Sequence, residues 1–488
     1  MSQFLLFYVR PEPGTWVYLS VFLLVGVFFV FHRLWSLRNL DILLLILLAP
    51  GILLVYEGRK TRGLSPKLIP ASTVATSADF ASERTTGSRT TNGRMQLVSA
   101  QQEPPQEVSS LDLSTGNPKA PPAKWTADQL EFAGFAALLL ACSLLLVRML
   151  VDPALVRRPL LEPNLSIGGL SFIAVSLFLF LMSNVITSDP EMTHQRGPKL
   201  GPGYALLNRL PNLPITPEHE GPVWNDGGAP DDRQWVFNVA RALVVFSNLA
   251  IVLGIIGVGY WHFENVKTGI GCATMYLLFP YTAQMAGNVE HALPAALLTL
   301  AILAYRQPLI AGCFLGLASG LVYYPLFLLP LWISFYSQRG LGRLLLGVVS
   351  MLLLLAGLLL LGGWPNFVEA IRDMFGLWRP AMQNLTGIWG LGFDPMFRLP
   401  VLVAFILLSF SFVFWPPRKT LGTLMCGTAA LMLAAQFWHG YGGGLYMAWF
   451  LPCVLLTIFR PNLDDRIATR VVSQKWTRMD RLSVSANG

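Results

Sequence analysis

Long apolar runs and short polar turns alternate along almost the whole chain. Many of the runs approach or exceed the ~18–20 residues that read as a membrane-spanning helix. Reading each run as a helix predicts about thirteen spans at that length. They are Trp16–Phe31, Leu40–Tyr56, Phe132–Val151, Ile167–Thr187, Val236–Tyr260, Thr268–Met285 and Ala292–Tyr305, then Leu309–Leu321, Tyr323–Tyr336, Leu341–Leu361, Pro400–Phe414, Leu421–Phe437 and Leu445–Phe459. Pro325 and Pro330 leave the pair between Leu309 and Tyr336 open to a kinked or re-entrant reading. The predicted fold class is an all-α polytopic membrane protein. An outer-membrane barrel needs short alternating strands, and continuous apolar runs exclude it.

The polar turns carry the orientation. Arg33, Arg38, Arg148, Arg157, Arg158, Lys267, Arg306, Arg339, Arg343, Arg418 and Lys419 fall on one side if the spans simply alternate, as does the basic tail after Arg460. Positive charge marks the cytoplasmic side. This predicts an outer N-terminus, a cytoplasmic C-terminus and three sizeable outer segments. The 57–128 segment is rich in Ser, Thr, Pro, Gln and Gly and is expected to be disordered. The 189–235 loop holds "GYALLNRL", suited to an interfacial helix. The 363–399 loop holds "NFVEAIRDMFGLW", whose apolar residues share one helical face. The expected organisation is a transmembrane hairpin over 1–56, the outer segment 57–128, a third helix and cytoplasmic loop over 129–166, a core over 167–459, and a cytoplasmic tail over 460–488.

Composition agrees with the pattern. The chain is 53% hydrophobic and 13% charged, too few charges for a soluble protein of 488 residues. The formal charge of +8 encodes topology rather than nucleic-acid binding. The five cysteines lie in apolar runs without metal spacing and read as small core residues. No basic region or cleavage site precedes the first run, which reads as a retained helix.

The predicted spans are almost free of ionisable side chains; Asp41 stands at a helix start near the inner face. Ion-coupled pumps keep charges inside the membrane, so this pattern argues against one. Candidate chemistry gathers instead at the predicted outer ends. Asp189, Glu191, His194 and Arg196 follow the fourth span; Asn288, Glu290 and His291 share the turn "AGNVEHALP". Arg379, Arg398, His439 and Tyr446 come later. Carboxylates there suit general-base work, and arginines suit a lipid-linked phosphate. Trp364, Trp378, Trp389 and Tyr446 suit stacking on sugar faces. Each has a plainer reading: boundary charges, snorkelling arginines and interfacial aromatics. No HExxH or paired spacing supports a metal, and no cofactor is expected; a divalent metal stays an unsupported option.

The stretch "GNVEHALPAALLTLAILAYRQPLIAGCFLGLASGLVYYPLFLLPLWISFY" resembles the GT-C superfamily of integral-membrane glycosyltransferases, nearest to glycosyltransferase family 87. The likeness rests on the Gly287-Asn288 polar turn, Arg306, the small-residue motif at Ala311, Gly312, Gly316, Leu317 and Ala318, and the run Tyr324, Pro325, Leu329 and Pro330. "HGYGGGLYMAWFLPCVLL" is a weaker echo of the family's closing outer turn. The family often has a lysine before its "YP"; Val322 and Tyr323 stand here instead, so a role of that lysine toward phosphate finds no support.

The resemblance implies a transferase using a polyprenyl-phosphate-linked sugar and a lipid, glycan or protein acceptor. It implies a multi-pass protein of the plasma (inner) membrane with an extracytoplasmic active face, surrounded by membrane lipids and binding no nucleic acid. The spans before Ile167 would be an N-terminal addition. Asp189, or alternatively Glu191, would be the base; Pro190 turns the two apart and favours Asp189. Arg196, Arg379 or Arg398 would stabilise the leaving phosphate. A GT-C-fold ligase reads the same way. The competing class is non-enzymatic: a lipid or glycan translocase, or a structural envelope protein.

Overall fold

Helix is the only regular structure among the described residues of the computed structural model. These residues are 12–61, 125–155, 161–188, 213, 231–338, 340–361, 363–365, 367–368, 385, 387–417, 419–440 and 442–461. Most of the 57–128 segment, the "GYALLNRL" stretch, most of "NFVEAIRDMFGLW" and the tail beyond 461 lie outside them.

The helices, in chain order, are α1 (Pro13–Phe28), α2 (Leu37–Ile46), α3 (Leu48–Thr61), α4 (Ala127–Val151), α5 (Ile167–Thr187), α6 (Asp231–Trp261), α7 (Val266–Leu278) and α8 (Pro280–Met285). They continue as α9 (Val289–Leu303), α10 (Pro308–Leu321), α11 (Leu329–Tyr336), α12 (Leu341–Leu360), α13 (Arg398–Phe414), α14 (Leu421–Trp438) and α15 (Leu451–Phe459). Each predicted apolar run carries helix. Seven helical stretches are long and apolar enough to cross a membrane: Leu37–Thr61, Ala127–Ala154, Ile167–Thr187, Gln234–Trp261, Leu341–Leu360, Pro395–Phe414 and Leu421–Trp438. The other runs hold shorter or broken helices, and proline explains most breaks. Pro50 has no N–H to continue the bonding of α2 into α3. Phe279 takes an extended conformation before Pro280, which separates α7 from α8. Pro325 lies in a 3-10 turn, Tyr324–Leu328, that leads into α11. Helix starts follow from caps: Thr126 and Gln129 form a capping box on α4, and Ser166 caps α5.

Burial divides the bundle. The apolar window of α14 is 94% buried, whereas those of α12 and α13 are 22% buried. α14 is therefore the axis, and α12 and α13 turn apolar faces outward. On α12, Leu346, Val349, Leu353 and Leu354 are exposed, while Leu344, Gly347, Val348 and Leu355 are buried. That one-sided apolar face is compatible with a helix at the rim of a membrane-embedded bundle.

Small residues set the closest helix approaches. The family-like motif on α10 meets α12 backbone to backbone: a Cβ on Gly316 would lie 2.6 Å from the Val348 carbonyl oxygen. Gly312 abuts Leu344 and Gly347 abuts Leu309 in the same way. Without a hydrophobic drive between helices in lipid, such contact is what holds a pair together. α3 and α4 repeat the device, with Gly134 against the Val55 backbone and Gly58 against Glu131. The predicted N-terminal addition is packed into the bundle: α4 lies along α14, and the thiol of Cys426 donates to the Met149 carbonyl at 2.8 Å.

Near the start of α14 lies a buried ion cluster. Arg148 grips Asp41 with two bonds of 2.6 and 2.9 Å and reaches Asp152 at 2.9 Å. Arg460 reaches the other oxygen of Asp152 at 2.6 Å. Asp152 is fully buried. A Cβ on Gly422 would coincide with the Arg460 guanidinium, so glycine leaves the room that the cation fills.

Candidate functional site

The other end of α14 carries a different cluster. α14 stops at Trp438, and His439 follows in an extended conformation. Gly442 and Gly444 have positive φ, which only glycine adopts without strain, and they turn the chain back toward a 3-10 turn at Met447–Trp449. Gly443 pairs with Gly387 from the 363–399 loop. The result projects His439, Tyr446 and Trp449 into the bundle.

The "AGNVEHALP" turn meets them. α9 begins at Val289, so Glu290 and His291 occupy its first turn, where a carboxylate is favoured by the helix dipole. Trp449 Nε1 donates to the Glu290 carbonyl at 3.0 Å. The Tyr446 ring stacks on His291 at 4.4 Å and 21°. It meets His439 edge-on at 4.8 Å and 84°. Glu290 Oε1 lies 3.7 Å from His291 Nε2. Two tyrosines complete the cluster: Tyr281, the second residue of α8, bonds His291 Nδ1, and Tyr324 bonds His439 Nδ1. Glu290, His291, His439, Tyr281 and Tyr324 are all buried, and Tyr446 is half-buried.

Arg398, the first residue of α13, is buried beside this cluster. Its Nε and Nη2 donate to the Trp438 carbonyl at 3.3 and 3.1 Å. A cation there completes the open carbonyl end of α14. Trp389 Nε1 serves the neighbouring Phe437 carbonyl at 2.9 Å. The expectation that Trp389 stacks on sugar meets a buried ring with its N–H committed to a helix end. Trp364 is exposed and packs on Phe367.

The expected site residues therefore divide. Glu290, His291, His439, Tyr446 and Arg398 come together. Asn288 stands at their edge as the N-cap of α9, its Nδ2 3.4 Å from the Met285 sulfur. Asp189, Glu191, His194, Arg196 and Arg379 lie outside the described residues, as does Trp378. The approach to Asp189 is described. Ser188 is buried, and Arg241 of α6 donates to its carbonyl at 2.9 Å. Asn248, on the same helix, donates to the Ala286 carbonyl at 3.1 Å. Arg241 and Asn248 are about two turns apart, roughly 10 Å along the axis. One face of α6 thus ties the end of α5 and the Asn288 turn to the same side of the bundle.

Tyr281 escaped the sequence reading because aromatic residues count as apolar filler in a hydrophobic run, and Trp449 stood in it only as part of the family-like closing stretch. Tyr324 was visible only as part of the family-like motif. The signal available was the density of Tyr, Trp and His around "HGYGGGLYMAW".

Among the described residues no group of three His, Cys, Asp or Glu side chains is placed to hold a metal ion. What the cluster offers is a carboxylate beside an imidazole, a second imidazole, a nearby guanidinium and a half-buried tyrosine packed between His291 and Trp449. Groups of these types are capable of hydrogen bonding to oxygen-rich ligands and of general acid–base work. No family model, curated protein or solved structure matches this chain.

Proposed function

We propose that the protein is an integral-membrane glycosyltransferase of GT-C type, moving a sugar from a polyprenyl-phosphate donor to a lipid, glycan or protein acceptor at the extracytoplasmic face. One observation carries the reading. The two separate stretches with family likeness meet at one site: Tyr324 of the "YP" run bonds His439 of the closing turn, and Trp449 bonds the Glu290 carbonyl. Simple helix packing does not require the motif residues to converge through their polar atoms. The short helices join the seven long ones in a multi-pass bundle of about thirteen spans at the usual length.

On this reading the sugar rests on Tyr446, and Glu290 with His291 orients a hydroxyl. The donor already leaves as a phosphate, so charge stabilisation matters more than protonation. Arg398, Arg196 and Arg379 supply it. Asp189 remains the proposed base, delivered by the end of α5.

The test uses the full chain in phospholipid nanodiscs with radiolabelled polyprenyl-phosphate sugars and a membrane extract as acceptor source. Label transfer that falls in Asp189→Asn and in Glu290→Gln supports the proposal. Transfer that survives Asp189→Asn unchanged removes that residue from the base role. Absence of transfer with every donor, together with outer-residue variants that still support growth of the host, favours a non-enzymatic translocase.

A further inference from the structure

The site contains the same device twice. A buried phenol bonds the Nδ1 atom of a buried imidazole in Tyr281–His291 and again in Tyr324–His439. The two pairs come from different parts of the chain, 10 residues apart in one case and 115 in the other. Both imidazoles then touch one ring, Tyr446. Phenylalanine would fill the same core volume, so packing alone does not explain two hydroxyls here.

The proton's place follows from basicity. A neutral pair allows two directions, O–H to Nδ1 or Nδ1–H to oxygen; the phenol is the stronger acid (~10) and the imidazole nitrogen the stronger base (~6.5 for its conjugate acid), which favours O–H donating to Nδ1. A neutral imidazole has one accepting and one donating nitrogen. With Nδ1 accepting, Nε2 carries the hydrogen. The charged groups facing the pairs are Glu290, beside His291, and Arg398, on the Trp438 carbonyl next to His439.

We propose that Tyr281 and Tyr324 are positioning residues that fix His291 and His439 as neutral Nε2–H donors around Tyr446, suited to the oxygen atoms of a phosphorylated sugar. The ligand half of this inference rests on the glycosyl-transfer reading; the tautomers do not.

The experiment is nitrogen-15 NMR of the full chain, histidine-labelled, in phospholipid nanodiscs at neutral pH. The chain has six histidines, few enough to assign by single substitutions. The expected wild-type signature is a hydrogen-bonded, unprotonated Nδ1 and a protonated Nε2 at both His291 and His439. Tyr281→Phe should shift the Nδ1 resonance of His291 and leave His439 unmoved, and Tyr324→Phe should do the reverse. A protonated Nδ1 in the wild type, or a Phe variant that leaves its partner's Nδ1 unmoved, overturns the proposal. The two pairs are independent, so a misfolded variant of one leaves the other to decide. In the transfer assay each Phe variant should lower kcat about tenfold at nearly constant donor KM, the scale on which outer partners of functional histidines act. A shifted resonance with unchanged kcat overturns the ligand role. Failure of the wild type to transfer overturns the enzyme reading and leaves the tautomers to the NMR.

Discussion

At the Gly422 end of α14, Asp41, Arg148, Asp152 and Arg460 neutralise one another in direct ion pairs. At the Trp438 end, roughly 24 Å away at the helical rise, phenols, indoles and imidazoles meet through neutral hydrogen bonds and ring contacts. Each end has a glycine that makes room for an arginine: Gly422 for Arg460 and Gly440 for Arg398. The surroundings of the two cations differ. Arg460 meets a buried carboxylate, so its charge is consumed in holding α15 to α4. Arg398 donates through Nε and Nη2 to a backbone carbonyl, that of Trp438. The first end is closed by ion pairs, and the second is where the proposed site lies.

The sharpest way to break this contrast is at Asp152. Asp152→Ala sets both arginines against Asp41 alone and should cost about 3–5 kcal/mol, the usual loss on breaking a buried pair. Thermal unfolding of the purified full chain measures it. The double variant Asp152→Ala with Arg460→Met should recover part of the loss, because it leaves the balanced Asp41–Arg148 pair.

At the other end the expected effect is on activity. Glu290→Gln and His291→Ala should each lower sugar transfer by about 100-fold, the scale of acid–base contributions. Melting temperature should change little in Glu290→Gln, whereas His291→Ala also empties a buried site and should cost about 2–3 kcal/mol. A large fall in melting with unchanged transfer would make this end structural too.

The two glycines give a finer comparison. Gly422→Ala pushes a methyl group into the Arg460 guanidinium and should cost about 1–3 kcal/mol, as overpacking does. Gly440→Ala meets Arg398 at 2.7 Å and should cost less, since a carbonyl bond tolerates displacement better than a buried ion pair. Equal losses in thermal unfolding would contradict the distinction. Smallest of all, Arg398→Lys keeps the charge but loses the forked donation to Trp438, a loss of about 1 kcal/mol or less.

Much of the helical framework was legible in the apolar runs, because a backbone in lipid must satisfy its own hydrogen bonds. Pro325 marked a possible break, whereas the breaks near Pro50 and Pro280 fall inside runs read as continuous spans. The Gly312 and Gly316 spacing pointed to a close helix contact, and α12 supplies it. The ion cluster was not legible. Asp41 and Arg148 are 107 residues apart, Asp152 and Arg460 308 apart, and each alone reads as a boundary charge. The candidate site was half legible. Glu290, His291 and His439 stand out as polar residues beside apolar runs, whereas a tyrosine hydroxyl inside such a run leaves no mark on hydropathy. Arg398 was expected as a phosphate ligand, and its bond to the end of α14 depends on a tertiary contact that no local pattern encodes.

The ion cluster also sets an order of events during synthesis. Asp41, Arg148 and Asp152 are made early and together carry one unbalanced negative charge; Arg460 follows Asp152 by 308 residues. At ordinary translation speeds that interval is roughly 15–60 s. Throughout it the first helices hold a buried acid without its second cation. Their own ion pairs, Arg148 with Asp41 and Asp152, can form in that interval. The ion cluster is thus completed by a residue near the end of the bundle, and a chain interrupted before Arg460 would leave Asp152 with Arg148 as its cation.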